Sequence, residues 1–161
     1  MDKRTAQQIG GFLAIKSSCI GLIIAYVLYG YVNYSWDHRL YNSVFWIIKV
    51  EYLFNLLVGA IGLILMAWLF GQLAGIAIPI KKKNAILTGI KYGFVILITA
   101  TLIGSSVAFF QEGLKEIGGF SNPFFDYFFK PLYWVTMFGM LPVIVVGIWF
   151  GKQVKKQEAK L

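Results

Sequence analysis

Four long runs of apolar residues, separated by short polar stretches, dominate the chain. The runs cover about residues 12–32, 50–75, 88–110 and 131–150. An apolar helix of about 20 residues rises about 30 Å, which matches the hydrocarbon thickness of a bilayer. The runs lack the alternation with a period of two residues that a transmembrane β-strand requires. The pattern therefore predicts one domain over residues 1–161, formed by four transmembrane helices.

The composition supports this class of protein. Apolar residues make up 58% of the chain and charged residues only 14%, whereas soluble domains have about 45–50% and about 25%. A soluble core of this size has too little interior for so many apolar side chains, and the chain has too few polar residues to remain disordered. Cys19 is the single cysteine, which excludes an internal disulfide and a cysteine-rich metal site. We expect an all-α integral membrane protein, a four-helix bundle.

Basic residues are distributed unevenly among the tails, the loops and the adjoining ends of the four runs. The N-terminal tail, the loop around residues 81–91 and the C-terminal tail hold 11 basic and 2 acidic residues, whereas the other two loops hold 4 basic and 5 acidic residues. Basic loops face the cytoplasm. We therefore predict a multi-pass protein of the plasma (inner) membrane with both termini in the cytoplasm. The net charge of +8 follows from this topology, so no nucleic-acid partner is predicted.

Small residues at helical spacing occur in every run and predict where the helices pack closely, because lipid provides no hydrophobic force between helices. The candidate packing glycines are Gly21, Gly59, Gly62, Gly71, Gly75, Gly89, Gly93, Gly104, Gly147 and Gly151. The strict G-x-x-x-G pairs lie at the predicted cytoplasmic ends, so the closest approaches are expected there. Two interpretations remain: ordinary bundle packing, or a cavity that opens outward and is closed at the cytoplasmic side. Pro142, with Gly139 one turn earlier, predicts a kink in the fourth helix.

Aromatic residues concentrate at the predicted outer end of the bundle. They are Tyr29, Tyr31, Tyr34, Trp36, Tyr41, Phe45 and Trp46 around the first outer loop, and Phe120, Phe124, Phe125, Tyr127, Phe128, Phe129, Tyr133 and Trp134 around the second. Tyr and Trp are typical of a belt at the membrane interface, but a belt explains the many phenylalanines less well. A surface for a partner protein is the alternative. Residues 122–130 are predicted to form a short interfacial helix with Asn122 as N-cap and Pro123 in its first turn.

Ionisable and polar residues inside the runs are the first candidates for a binding role. Lys16 lies near the cytoplasmic end of the first run, where its side chain can extend to water or contact a substrate. Glu51 and Asn55 lie one turn apart near the outer end of the second run, on the face that continues to Gly59 and Gly62. Glu51 either forms a structural ion pair or binds a cation or proton.

The first outer loop contains the only histidine of the chain in the sequence Asp37, His38, Arg39. One histidine beside one acid has too few ligands for a catalytic zinc ion, and no nucleophile or phosphate-loop motif is present. Neither a metal, a cofactor nor an enzymatic activity is therefore predicted. The three neighbouring charges remain a candidate binding site.

Taken together, these features favour a non-enzymatic protein that binds a partner, such as an accessory subunit or an immunity or modulator protein. Its expected partners are the lipid bilayer and either another membrane protein or further copies of the same chain. The alternative is a small oligomeric transporter or channel that moves a cation or small solute through Glu51. An intramembrane enzyme is the third possibility.

Overall fold

Four long helices form the protein. The computed structural model describes residues 2–39, 53–117 and 122–158, together with Tyr41 and Phe45. The helices are α1 (Lys3–Asp37), α2 (Leu53–Ala77), α3 (Ala85–Gln111) and α4 (Lys130–Glu158), and these residues contain no strand. Each helix is long and apolar enough to cross a membrane. The prediction of an all-helical protein with four potential membrane spans is therefore confirmed.

The helices extend beyond the predicted apolar runs. α1 begins at Lys3 rather than near Phe12 and ends at Asp37 rather than near Val32, while α4 continues past Phe150 to Glu158. Apolar length reports only the part of a helix that lipid covers, whereas the backbone hydrogen bonds continue through polar residues at either end. The predicted start of the second run at Val50 lies outside the described residues.

The bundle consists of two tightly packed antiparallel hairpins. In the first hairpin, Gly10 of α1 lies against Gly71 and Gly75 of α2. In the second hairpin, Gly89 of α3 lies against Gly147 of α4. α2 and α3 also pack against each other, and α1 meets α4 over a smaller contact. The contact between α1 and α4 is called the seam below.

Most large apolar side chains lie on the outside of the bundle. The interior holds alanines such as Ala14, Ala67 and Ala74 together with a few large residues such as Ile96 and Phe150, whereas many leucine, isoleucine and phenylalanine side chains are exposed along all four helices. A soluble protein buries most of its large apolar residues. So much exposed apolar surface is stable only where the surrounding solvent is itself apolar, as in a bilayer.

One end of the bundle brings the three basic segments together. Asn84 caps α3, and its Oδ1 accepts hydrogen bonds from the backbone N–H groups of Ile86 and Leu87. Lys82, which adopts a left-handed backbone conformation with φ of 52°, forms an ion pair with Glu158 of α4. The N-terminal part of α1, the α2–α3 turn and the C-terminal part of α4 therefore lie at one end, which is called the basic end below.

The opposite end contains a short 3₁₀ helix, Gly113–Glu116, and a π-helical turn, Phe125–Phe129. As predicted, Asn122 caps this segment, because its Oδ1 accepts a hydrogen bond from the backbone N–H of Phe125 at 3.3 Å. The predicted separate helix is not observed, since the π-helical turn runs without a break into α4. The backbone N–H of Lys130 donates to the carbonyl of Phe125, and this hydrogen bond joins the two.

Candidate functional site

The aromatic residues near the π-helical turn divide into two groups, which the sequence does not distinguish. The first group packs around Phe109 at the end of α3, a side chain that is 7% exposed. Its ring centroid lies 4.9 Å from Phe124, 5.4 Å from Phe128 and 6.4 Å from Tyr127. The Tyr127 hydroxyl also donates a hydrogen bond to Glu116 at 3.2 Å. These contacts attach the π-helical turn to the end of α3.

The second group lies on the outside and is called the aromatic face below. It consists of Phe125, Phe129, Tyr133 and Trp134, which are 51%, 64%, 63% and 52% exposed. The Phe125 and Phe129 rings stack with centroids 6.1 Å apart. The Nζ of Lys130 lies 5.8 Å from the centroid of the Phe125 ring, a distance typical of a cation–π contact. These rings therefore contact one another while most of their surface stays accessible.

Aromatic rings also connect α1 with α4 near this end. The ring of Phe138 lies edge-on to Tyr29 of α1 at 6.2 Å and stacks on Trp134 at 5.9 Å. Tyr31 and Tyr41 are both 69% exposed. The side chain of Trp36 and the whole of Trp46 and Phe120 lie outside the described residues.

An apolar cavity of about 110 Å³ lies between the two hairpins and is lined by residues of all four helices. Its polar lining residues are Ser17, Ser18 and Tyr92, and the Ser17 hydroxyl donates to the Leu13 carbonyl at 2.7 Å. Both predicted kink residues, Gly139 and Pro142, line it and are buried. Pro142 lies inside a continuous α4, and the kink itself stays a prediction.

The position of this cavity does not favour the interpretation of an outward-opening cavity. Its walls run from the middle of the bundle toward the basic end, where Gly71, Gly89 and Gly147 contribute to the lining. Close packing of the glycines within each hairpin leaves space between the hairpins. Ordinary bundle packing with an internal gap describes this geometry.

The predicted packing glycines differ in the space around them. A Cβ atom added at Gly71, Gly75, Gly89, Gly147 or Gly151 would meet backbone atoms of the neighbouring helix at 3.1 Å or less. At Gly93 it would meet the Val143 side chain at 3.0 Å, at Gly62 the Ile103 side chain at 3.3 Å, and at Gly104 the backbone of Asn55 and Gly59 at 3.3 Å. At Gly21 the nearest atom is 3.9 Å away, and at Gly59 there is none within 4 Å. The closest backbone approaches thus lie toward the basic end.

The charged sequence in the first outer loop has a structural role at one position. His38 ends α1 in a left-handed conformation with φ of 50°, and its backbone N–H donates to the Tyr34 carbonyl at 2.9 Å. Its ring lies edge-on to Tyr34 with centroids 6.2 Å apart. Arg39 is exposed, and the side chain of Asp37 lies outside the described residues. The binding role of Asp37, His38 and Arg39 stays a prediction.

The two polar candidates of the second run are only partly described. Glu51 lies outside the described residues, so its role stays a prediction. The Asn55 side chain carries a buried Oδ1 atom that accepts no hydrogen bond from the part of the chain that the structure describes. The Asn55 backbone carbonyl lies beside Gly104 of α3, so this part of α2 faces the bundle.

Lys16 is exposed and lines a groove on the outside of the seam at the basic end.

Hydroxyl groups elsewhere in the spans form hydrogen bonds within their own helix: Thr99, Thr101 and Ser106 donate to the carbonyls of Val95, Leu97 and Leu102 at 2.7–2.8 Å. Within the described ranges, no group of three or more His, Cys, Asp or Glu side chains is placed to hold a metal ion.

Two structural contacts were not found from the sequence. Ala6, Gly10 and Ala14 of α1 form the close contact with α2, and they have the same four-residue spacing that marks the other packing residues. They were missed because they lie in and next to the polar N-terminal segment. The central position of Phe109 in its aromatic cluster has no comparable sequence signal.

The chain matches no protein-family model, no curated protein and no solved structure.

Proposed function

We propose that this chain is a non-enzymatic membrane protein that binds a protein partner through the aromatic face. The observation that carries the proposal is the exposure of Phe125 and Phe129, at 51% and 64%. Interfacial belts are enriched in Tyr and Trp, whereas contact surfaces are enriched in all three aromatic residues. Two ordered, stacked phenylalanine rings at the end of a helix are the anchors that a partner surface would bury.

The contacts that position the aromatic face before a partner binds are the second support for the proposal. A ring that is fixed before binding loses little conformational entropy when it is buried, and pre-organised anchors therefore bind more tightly. Phe109 holds the π-helical turn against α3, and Lys130 also forms an ion pair with Asp126 beside Phe125. The face is thus held by contacts that a partner does not have to supply.

We further propose that the basic end faces the cytoplasm and the aromatic face lies at the outer surface of the plasma (inner) membrane, with residues 122–130 at the interface. The basic end unites three segments with 11 basic and 2 acidic residues, which the positive-inside rule assigns to the cytoplasm. The partner is then a membrane protein, or a second copy of this chain, that reaches the outer level of the bilayer.

Photo-crosslinking in native membranes tests the proposal. A photoreactive phenylalanine analogue replaces Phe129 in one variant and Leu65 of α2, which is 57% exposed, in the control. We expect a defined protein adduct from position 129 and mainly lipid adducts from position 65. Lipid adducts alone from both positions would establish an interfacial belt and reject the partner.

Loss of binding gives the complementary measurement. Hot-spot aromatics typically contribute at least about 2 kcal/mol each when truncated to alanine. The double variant Phe125→Ala, Phe129→Ala should therefore lose the crosslinked partner in co-purification, whereas Leu65→Ala, Leu69→Ala should retain it. Equal retention by both variants would contradict a role of the aromatic face.

The transporter alternative needs a polar route to Glu51. Proteoliposomes containing the wild type or Glu51→Gln provide the direct comparison. Cation or solute movement that the substitution abolishes would favour the transporter, because glutamine keeps most hydrogen bonds but removes the charge.

A further inference from the structure

The groove beside Lys16 has the size and chemistry of a binding site. It lies between the first part of α1 and the last part of α4 and is lined only by residues of these two helices. Its volume is about 540 Å³, within the range of about 300–1,000 Å³ that small-molecule sites occupy. The polar and aromatic residues that line it are Gln8, Phe12, Lys16, Trp149, Gln153 and Gln157.

The groove is rich in hydrogen-bond donors and carries a positive charge. It contains one ammonium group, three amide side chains and one indole N–H, and its lining includes no carboxylate. Glu158, the acid next to Gln157, forms an ion pair with Lys82 of the α2–α3 turn. Lys16 takes part in neither of the ion pairs among the described residues. An anionic oxygen group, above all a phosphate, suits this set of donors.

The groove crosses from polar to apolar surroundings. α1 and α4 are antiparallel, so Gln8 and Gln157 lie at the end of the groove nearest the tip of the basic end. Lys16 and Trp149 lie eight residues further along each helix, about 12 Å closer to the middle of the bundle. Phe12 between them is 66% exposed. Tryptophan is typical of the membrane interface, and a lysine stem lies along apolar surface while its ammonium group reaches toward the polar side. The groove therefore combines polar groups with exposed apolar surface, as an amphipathic lipid requires.

The seam beyond the groove is the loosest helix contact in the bundle. The nearest neighbour of a Cβ added at Gly21 is Val146 of α4 at 3.9 Å, whereas a Cβ added at Gly75 or Gly89 within the hairpins would meet backbone at 3.1 Å or less. Phe12 in the groove is 66% exposed, so an apolar chain attached to the anionic group has apolar surface to lie on. A soluble anion would use only the polar part of the groove.

We propose that this groove binds an anionic phospholipid, with the phosphate at Lys16 and Gln153 and the acyl chains along the outside of the seam. Lys152, Lys155 and Lys156 lie exposed at the same end of α4 and attract anionic lipid to this region. The proposal is independent of the partner at the aromatic face, which lies at the other end of the bundle.

Native mass spectrometry of the full chain in detergent tests it, with phosphatidylglycerol and phosphatidylcholine titrated separately. The wild type should bind phosphatidylglycerol more tightly. Lys16→Gln should weaken that binding about fivefold, the effect of one basic residue near an anionic membrane surface, and should leave phosphatidylcholine binding unchanged. Lys91→Gln is the matched control, because Lys91 is an exposed lysine near the basic end of α3, outside the groove, and it should bind like the wild type.

Two further arms complete the test. Lys16→Arg should restore preferential binding because it keeps the charge, and Gln153→Leu should weaken it, which provides a second variant if Lys16→Gln does not fold. Glycerol 3-phosphate is the soluble probe and should compete only weakly. Equal losses in Lys16→Gln and Lys91→Gln, an absent preference in the wild type, or binding of glycerol 3-phosphate as tight as that of the lipid would each overturn the proposal.

Discussion

Gly10 provides the sharpest test of how the hairpins pack. A Cβ atom added at this position would lie 2.6 Å from Cα and 2.9 Å from the backbone nitrogen of Gly75, with the Gly71 carbonyl oxygen closer still. All three are backbone atoms of α2, so no side-chain rotation relieves the overlap. The substitution Gly10→Ala therefore requires that α1 and α2 move apart.

The cost of that movement follows from the distances. Carbon atoms in good contact lie about 3.5–4.0 Å apart, so the helices must separate by about 1 Å, a gap that forfeits up to half of the dispersion energy of the affected contacts. Overpacking of this kind costs about 1–3 kcal/mol. Alanine gains about 0.5–1 kcal/mol over glycine in a helix, which leaves a net loss of stability of up to about 2.5 kcal/mol.

Gly59→Ala is the matched control, since no atom lies within 4 Å of a Cβ added there. It makes the same chemical change inside a helix and should be neutral or slightly stabilising. The helix-propensity gain cancels in the comparison, so the difference between the two variants reports the overpacking term. Titration of detergent-solubilised protein with SDS, followed by circular dichroism, measures both free energies of unfolding. Equal stability of the two variants would refute the packing described for α1 and α2.

Three further predictions concern the ends of the bundle. Phe109→Ala should loosen the π-helical turn, because it removes the ring at the centre of the aromatic cluster, and hydrogen exchange at residues 123–129 should accelerate; unchanged exchange would argue against this anchoring. Lys82→Gln should cost less than about 1 kcal/mol, since the Lys82 side chain in the ion pair with Glu158 is 75% exposed, and high salt should abolish the difference in SDS titrations. A reporter enzyme that is active only outside the cytoplasm should be inactive when it is fused after Leu161 or inserted within residues 81–84. Activity at either site would contradict the proposed orientation.

The four helices were predictable because their signal is local. About 20 consecutive apolar residues form a helix in lipid whatever they contact, since every backbone polar group must be satisfied within the segment. The helix ends were less predictable. Residues 3–11 contain charges and two adjacent glycines, so the four-residue spacing of small residues there does not by itself indicate that the helix continues through Gly10 to lie against Gly71 and Gly75.

The candidate site was predictable only in its residue types. The aromatic content near residues 120–134 is evident from the sequence, but which rings pack around Phe109 depends on the fold, and Phe124 does so although it is 57% exposed. Lys16 could be identified as an unusual charge in an apolar run. Its groove could not, because Gln153 and Gln157 lie far away in the sequence and only the antiparallel pairing of α1 with α4 brings them near.

The loose seam has a consequence for the order in which the chain assembles during synthesis. All residues of the Gly10–Gly75 contact have been made once α2 is complete, so the first hairpin has its whole interface before α3 emerges. The seam instead joins α1 with α4, and residues such as Trp149 and Val146 reach it only after α2 and α3 have been made. Until then the seam side of α1 is covered by lipid, and closing the bundle must displace that lipid or retain part of it.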